Sequence, residues 1–425
     1  MPFVNVRSHK NPFAGDHPTM TLFYVDDLAG RDDASGRSPQ EAWRSLERLE
    51  TDEIRPGDSV LLRRGGLWRG QLRPRSGEPG KPVRYAGYGD GPLPILQNSV
   101  SLSEPSDWEA TDRPDVWRTA ARHVFPCDIG NLILDHGAHR CGWKRWSPEE
   151  LQRPGDFWYS PDGQCVLLRL EENPGTRFAS IEAAVNRVIV AQAGCHDIVY
   201  DGLMVRYGAG HGFGGGETKR LVIRNCDICY IGGGHQFTHA NGRPVRFGNG
   251  IEFWNCAEDH LVENNRIWEI YDAALTNQGR AIEGFHSTQR NITWRNNVIW
   301  NAEYSFEYWN SPADEVTENI LFEHNTCLNA GGGWGHEQRP DPNGAHLMFY
   351  SCISQTRNFV VRDNIFHYST EVCLRMCNDW RQNCQLLDNS WANHGGQNLV
   401  RFRTPQGERR FGHDDLHEFL RPQTP

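Results

Sequence analysis

The chain has 425 residues, 38% hydrophobic and 23% charged, with a formal net charge of -10 from 44 Lys plus Arg against 54 Asp plus Glu. Its length buries an ample core, 15 Trp, 12 Tyr and 19 Phe exclude intrinsic disorder, and nothing approaches the roughly 18 uninterrupted apolar residues of a membrane helix. The acidic balance argues against a nucleic acid partner, because a duplex would have to be held against the average field.

Lysine is scarce: Lys10, Lys81, Lys144 and Lys219 are the whole set, so chemistry that needs a lysine has four candidates. The 12 cysteines fall below disulfide-scaffold density. Cys226 and Cys229 form a C-x-x-C, but no second pair completes a zinc site, and they are read as buried thiols. The opening MPFVNVRSHKNPF lacks the apolar stretch of a secretory signal. The expectation is a cytoplasmic protein or one whose export signal has been removed.

Residues 1–100 read as a β-rich N-terminal cap and first coils, with GDSVLLRRGGLWRG from Gly57 as strand, turn and strand, followed by PVRYAGYGDGP. Residues 101–185 read as an inserted β-subdomain, in which WSPEEL opens a short helix and DFWYSPDGQCVLLRL forms a hairpin around Ser160 to Gly163. From 186 to 403 a phrase recurs: LVIRNCDIC from Leu221, LVENNRIW from Leu261, ITWRNNVIW from Ile292, ILFEHNTCL from Ile320, FVVRDNIFH from Phe359 and QLLDNSWA from Gln385. Each copy is a short alternating β-run, a polar bend and a second run. The bend aligns Cys226, Asn265, Asn297, Asn325, Asn364 and Asn389, at spacings of 39, 32, 28, 39 and 25 residues.

A β-coil of that minimum length, with asparagine at a fixed bend, is what a parallel β-helix requires, since Asn tolerates the left-handed region and its amide can bond to the next Asn in the stack. Leucine-rich repeats would show L-x-x-L-x-L, and helical repeats conflict with the period of two. Residues 404–425 read as a loop and one short capping helix. The expected fold class is therefore all-β, a right-handed parallel β-helix with an N-terminal cap and an inserted β-subdomain.

The GDSVLLRRGGLWRG opening, the DFWYSPDG hairpin and the Asn-bearing coils together resemble the right-handed parallel β-helix proteins of the pectin-lyase-like superfamily. Many members are glycoside hydrolases, polysaccharide lyases or epimerases, so the resemblance implies a polysaccharide or oligosaccharide bound on one sheet face.

The strands after the bends align as GIEFWN from Gly250, DAALTN from Asp272, SFEYWN from Ser305, HLMFYS from His346 and CLRMCN from Cys373. Strict alternation sends Ile251, Phe253, Ala273, Leu275, Phe306, Tyr308, Leu347, Phe349, Leu374 and Met376 inward. It sends Glu252, Trp254, Asp272, Thr276, Ser305, Glu307, Trp309, His346, Tyr350 and Arg375 outward. Glu252 and Glu307 then share a column two coils apart, at roughly 10 Å, with Asp272 diagonal to both at roughly 8 Å. Such separations suit inverting glycosidases, which leave room for a water.

Asp272 and Glu307 are the expected acid and base, with Glu252 adjusting protonation or binding a hydroxyl. His346 and Arg375 are the expected contacts to sugar carboxylate or hydroxyl, and Trp254, Trp309 and Trp334 the stacking platforms. Inserted loops from Gly232, Gln278 and Gly331 supply cleft walls, carrying His235, His239, Arg243, Arg246, Trp334, His336 and Arg339. His235, Arg246 and His336 are taken as substrate contacts. No metal ligand set is expected: His235 and His239 are not held on one helix face, and the glycine triplets lack a phosphate-loop context.

Three functions compete. A glycoside hydrolase would need no cofactor. A lyase or uronate epimerase would rely on Arg375, His346 or a loop His, with Ca2+ held by Asp and Glu, because no lysine falls on the strip. A non-catalytic carbohydrate-binding β-helix would turn nothing over.

Overall fold

The computed structural model describes residues 20–421 apart from 139–140, 281–286, 312–314, 351 and 395–396. Lys10, the N-terminal stretch and most of the loop after Gln278 lie outside the described residues.

Alternating apolar residues pair one coil with the next into two long sheets. One sheet has ten strands, all parallel, from Leu22–Val25 through Ser59–Arg63, Val83–Tyr88, His196–Asp201 and Lys219–Arg224 to Cys384–Leu387. The second, of sixteen strands, carries the face of interest. Its relevant members are β1 (Ile251–Trp254), β2 (Arg266–Gly279), β3 (Val298–Asn310), β4 (Ala345–Phe349) and β5 (Val372–Met376). These pair in that order, all parallel. The core between the sheets is a continuous apolar column from Phe23 and Trp43 to Phe402 and Phe419, with Phe306 stacked on Phe322 at 4.7 Å.

Val83 pairs directly with Ile198, and Ile95 with Met204, so the intervening chain leaves the solenoid and returns. It builds a five-stranded sheet and a three-stranded one around its own core of Trp108, Phe125, Leu132, Phe157 and Leu168. The DFWYSPDG segment is an antiparallel pair, Asp156–Ser160 with Cys165–Arg169. The C-terminal end differs from the loop expected there: Val400–Thr404 and Gly407–Phe411 pair antiparallel before the helix Leu416–Leu420. This hairpin closes an edge that would otherwise offer unpaired backbone groups.

The asparagine column is a buried ladder. The Oδ1 of Asn297 accepts from the backbone N–H of Asn265 at 3.0 Å and from its amide at 2.9 Å. The Asn297 amide in turn donates to Asn325 Oδ1 at 3.0 Å and to the Val262 carbonyl at 3.1 Å. The pattern continues through Asn364 to Asn389, and starts at Cys226, whose N–H donates to Asn265. The residue in the left-handed region is the one before each ladder position, Asn225, Asn264, Asn296, His324, Asp363 and Asp388, with φ from 50° to 57°. A second ladder, Asp259 to Asn291, Asn319 and Asn358, runs exposed along the ten-stranded sheet.

Asn297→Ala strands buried donors on the coil below, and is expected to cost roughly 3 kcal/mol in guanidinium unfolding. Asn358→Gly, exposed and tolerant of its φ of 53°, should cost less than about 1 kcal/mol. Equal costs would show that the buried ladder holds no special place in stability.

Candidate active site

The sheet turns a corner within β2 to β5, and the corner breaks strict alternation. Ala274 and Leu275, Ser305 and Phe306, His346 and Leu347, and Cys373 and Leu374 are successive residues that are both buried. Ala273, Tyr304, Ala345, Met348 and Val372 form a separate apolar patch on the outer side. His346, expected outward, is therefore 0% exposed in the core, with Nδ1 3.0 Å from Ser305 Oγ and its ring 5.8 Å from Phe366. Burial pushes its pKa down to about 3, which fits a neutral core imidazole and removes it from the sugar-contacting set.

The alignment of β2 is also two residues off. Thr276, not a residue nearer Asp272, lies between Glu252 and Glu307. Asp272 reaches the same cleft by another route: Ile270 pairs with Ala302 and Ala273 with Tyr304, so Tyr271 and Asp272 together oppose Glu303. Such a bulge inserts one residue and re-aims a side chain. The true column is Glu252, Thr276, Glu307, Met348 and Arg375.

The cleft holds about 630 Å3, and Glu252, Asp272 and Glu307 all line it. One wall is the antiparallel hairpin Gly234–Thr238 with Pro244–Phe247, and another is the segment Arg339 to Asp341. Trp254 and Trp309 stand beside each other with ring centres 6.4 Å apart, also facing the cleft.

The three carboxylates are held differently. Glu252 Oε2 accepts from the Asn249 amide at 2.7 Å and lies 3.3 Å from His211 Nε2. His211 Nδ1 accepts the Asn249 N–H, which leaves the ring proton on Nε2 to donate to Glu252. Asp272 Oδ1 is 3.0 Å from Arg339 Nη1, which also donates to the Tyr271 carbonyl at 3.1 Å. Among the described residues Glu307 has no cation on it, and its Oε2 is buried without a hydrogen-bond partner.

Burial, then the negative charges of Asp272 and Glu252, push the Glu307 pKa well above the ordinary carboxylate range, only partly offset by Arg339 and a bond from Gln278. Burial raises Asp272 too, against the pull of Arg339. Two repelling carboxyls with a single cation between them favour one shared proton, and the residue without the cation is the one to carry it.

The remaining expected contacts divide. Trp254 and Trp309 line the cleft. Arg246 lines it as well, but donates to the carbonyls of Gly233 and Gly130 and lies 4.6 Å over the Tyr271 ring, so its charge serves the wall. Trp334 lies on the far side of its loop, donating to the Glu269 carbonyl at 3.1 Å and packing on Tyr271 at 5.5 Å. His235 packs against Trp146 at 5.3 Å and bonds to Thr238, outside the cleft lining. His336 binds Glu303 at 2.8 Å. Arg375 sits two strands past Glu307, within 4.0 Å of Glu371, away from the cleft lining. For Trp334, His235 and His336 a partner far away in sequence captures the side chain, and for Arg375 the neighbour is Glu371, four residues earlier.

His211, Asn249, Gln278, Tyr271 and Glu303 were not expected at the site. The one available signal was Glu303, which precedes the aligned strand in NAEYSFEYW by two residues. Among the described residues, no group of three or more His, Cys, Asp or Glu side chains is placed to hold a metal ion.

No protein-family model matches the chain. Lacto-N-biosidase of Bifidobacterium longum subsp. longum is 32% identical over 104 residues, spanning 23% of this chain and 6% of that protein. A solved complex of XylC with xylose superposes over 92% of this chain and 73% of its own at a TM-score of 0.52, with 10% identity. A structure titled glycoside hydrolase covers 91% and 97% at a TM-score of 0.51, with 9% identity. The chain has the right-handed parallel β-helix fold. At these identities the structural likeness carries the fold alone.

Two pH tests follow from the burial of Glu307 and His346. Glu307 keeps its proton to higher pH in the folded state, so its contribution is intact below the ordinary Glu range and is lost as pH rises through the folded value. Glu307→Gln should remove a loss of about 1.4 kcal/mol per pH unit across that window, read from unfolding curves at successive pH values. Parallel slopes in wild type and variant would refute the assignment.

His346 has the opposite sign. Its contribution is present above the ordinary His range and lost as pH falls toward about 3. His346→Gln is expected to unfold less steeply with acid over that interval, whatever its stability at neutral pH.

Proposed function

We propose that the protein is a glycoside hydrolase acting on an oligosaccharide or polysaccharide, with Glu307 as general acid and Asp272 as general base. What carries this reading is the pair itself: two mutually repelling carboxyls on the floor of a tryptophan-walled cleft, the buried Glu307 without a cation among the described residues and the part-buried Asp272 held by Arg339. The protonated Glu307 would donate to the leaving glycosidic oxygen. Asp272, kept anionic by the guanidinium, would take a proton from the attacking water.

Glu252, bonded to Asn249 and facing His211, is assigned to a sugar hydroxyl. Trp254 and Trp309 offer apolar ring faces for the pyranose. With Asp272 acting through water, the reaction inverts the anomeric centre. The short match to lacto-N-biosidase supports a carbohydrate substrate. A lyase would need a cation to spare for a uronate carboxylate; Arg339 is committed to Asp272 and Arg246 to the wall, and Arg243 and Arg280 are the further arginines of the cleft lining.

The test is a panel of polysaccharides and aryl glycosides followed for new reducing ends and for the ultraviolet absorbance of unsaturated uronates, with anomeric configuration read by NMR. Reducing ends without unsaturation, and inverted product, are expected. Asp272→Asn and Glu307→Gln should each lower kcat by roughly 10²- to 10⁴-fold. Full turnover in both folded variants would remove the pair from the mechanism, and unsaturated product would replace hydrolysis with elimination.

A further inference from the structure

We infer that Glu303 and His336 are positioning residues that set the proton affinity of Asp272 through Arg339. The inference deepens the proposed acid and base assignment and rests on it for its catalytic meaning, though not for its geometry.

Glu303 lies on β3 opposite the Tyr271–Asp272 bulge and is 2% exposed. Its two oxygens tie down both ends of the loop that carries Arg339. Oε2 accepts from His336 Nδ1 at 2.8 Å, and Oε1 accepts from the Asn343 N–H at 2.7 Å. The Asn343 side chain accepts in turn from the Tyr304 hydroxyl.

Between these anchors, Arg339 projects back over the bulge, flanked by the rings of Tyr271 at 5.1 Å and Tyr304 at 5.6 Å. Its Nη1 meets Asp272, while its Nε lies 3.8 Å from Glu303 Oε1 and makes no hydrogen bond among the described residues. At that distance Glu303 acts on Arg339 by charge and not by a hydrogen bond. One guanidinium thus stands between the buried Glu303 and the part-buried Asp272, and what Glu303 draws from it is withheld from Asp272.

The groups facing this centre are few. The strands contribute Glu303, Glu307, Tyr271, Tyr304 and Tyr350, the hairpin wall Arg246 over Tyr271, the loop His336 and Arg339, and the far side of the cleft His211 and Glu252. The bond from His336 is what offsets the charge of Glu303 from the side away from Arg339. Removing the charge of Glu303 should therefore lower the proton affinity of Asp272, and removing the His336 bond should raise it. A merely structural role would loosen the loop in both variants and move Asp272 the same way in each.

The experiment follows the carboxyl carbon of Asp272 by NMR in protein labelled at aspartate Cγ, with the resonance identified by its absence in Asp272→Asn. Glu303→Gln, which keeps the acceptor for Asn343, is expected to shift the titration down by roughly 0.5 to 1 pH unit, and His336→Leu to shift it up by a similar amount. No shift in either, or shifts of one sign in both, overturns the inference. Should Glu303→Gln fail to fold by circular dichroism, His336→Leu decides alone: an upward shift is expected, and none, or a downward one, refutes it.

The acid limb of the pH–rate profile on any aryl glycoside that is cleaved should move with the NMR titration. A titration that moves while the limb stays fixed would support the positioning role and count against Asp272 as the catalytic base.

Discussion

Each coil of this solenoid must place its buried bend so that one asparagine satisfies the backbone and the side chain of the coil below while finding its own acceptor on the coil above. That condition is met by Asn297, Asn325 and Asn364, with Asn265 and Asn389 closing the two ends of the column, and it leaves neighbouring coils no freedom to slip. A slip of one residue would bring core side chains to the surface and strand the amides. Outward residues therefore stay in columns, and Glu252 and Glu307 share one although 55 residues separate them in the chain.

On this rigid frame the chemistry sits where regularity fails. The corner in β2 to β5 turns two successive residues inward, and the bulge at Tyr271 and Asp272 adds a residue against Glu303. Together they bring Asp272 into reach of Glu307 over a floor of Tyr304, Met348 and Tyr350, apolar enough to make two charges costly. Arg339 arrives from a loop, so the proton-transfer pair is assembled from strands but tuned by an insertion.

The inserted subdomain braces those loops. Gln338 Oε1 accepts from Arg246 on the hairpin and from the Lys144 N–H of the insert, and its amide donates to the Gly142 carbonyl. Lys144 is itself buried against Asp128, which accepts from the His235 N–H, and burial holds its pKa down to about 8. The most buried of the described lysines thus serves to fasten a wall, and arginines line the cleft. Arginine suits that role because its planar head can stack on Tyr271 while its N–H groups reach several acceptors at once.

The solenoid, its asparagine column and the outward column of Glu252 and Glu307 were legible in the residues themselves, because they depend on period-two alternation and on a repeat that recurs along the chain. The burial of His346, the true register of Asp272 and the part played by Glu303 were not, since a corner and a bulge are set by how coils pack and leave no mark in local alternation. Trp334, His235, His336 and Arg375 were named from residue type and position, yet Trp334, His235 and His336 are claimed by partners far away in sequence, and Arg375 lies beside Glu371, four residues before it and away from the cleft. The sequence by itself determined which coils stack and which carboxylates can share a face, because backbone pairing and apolar burial act on every repeat alike. Only the tertiary structure decided which of those carboxylates meets a cation, because Arg339 lies 67 residues beyond Asp272 and is delivered by a loop whose path depends on Glu303, Gln338 and the insert.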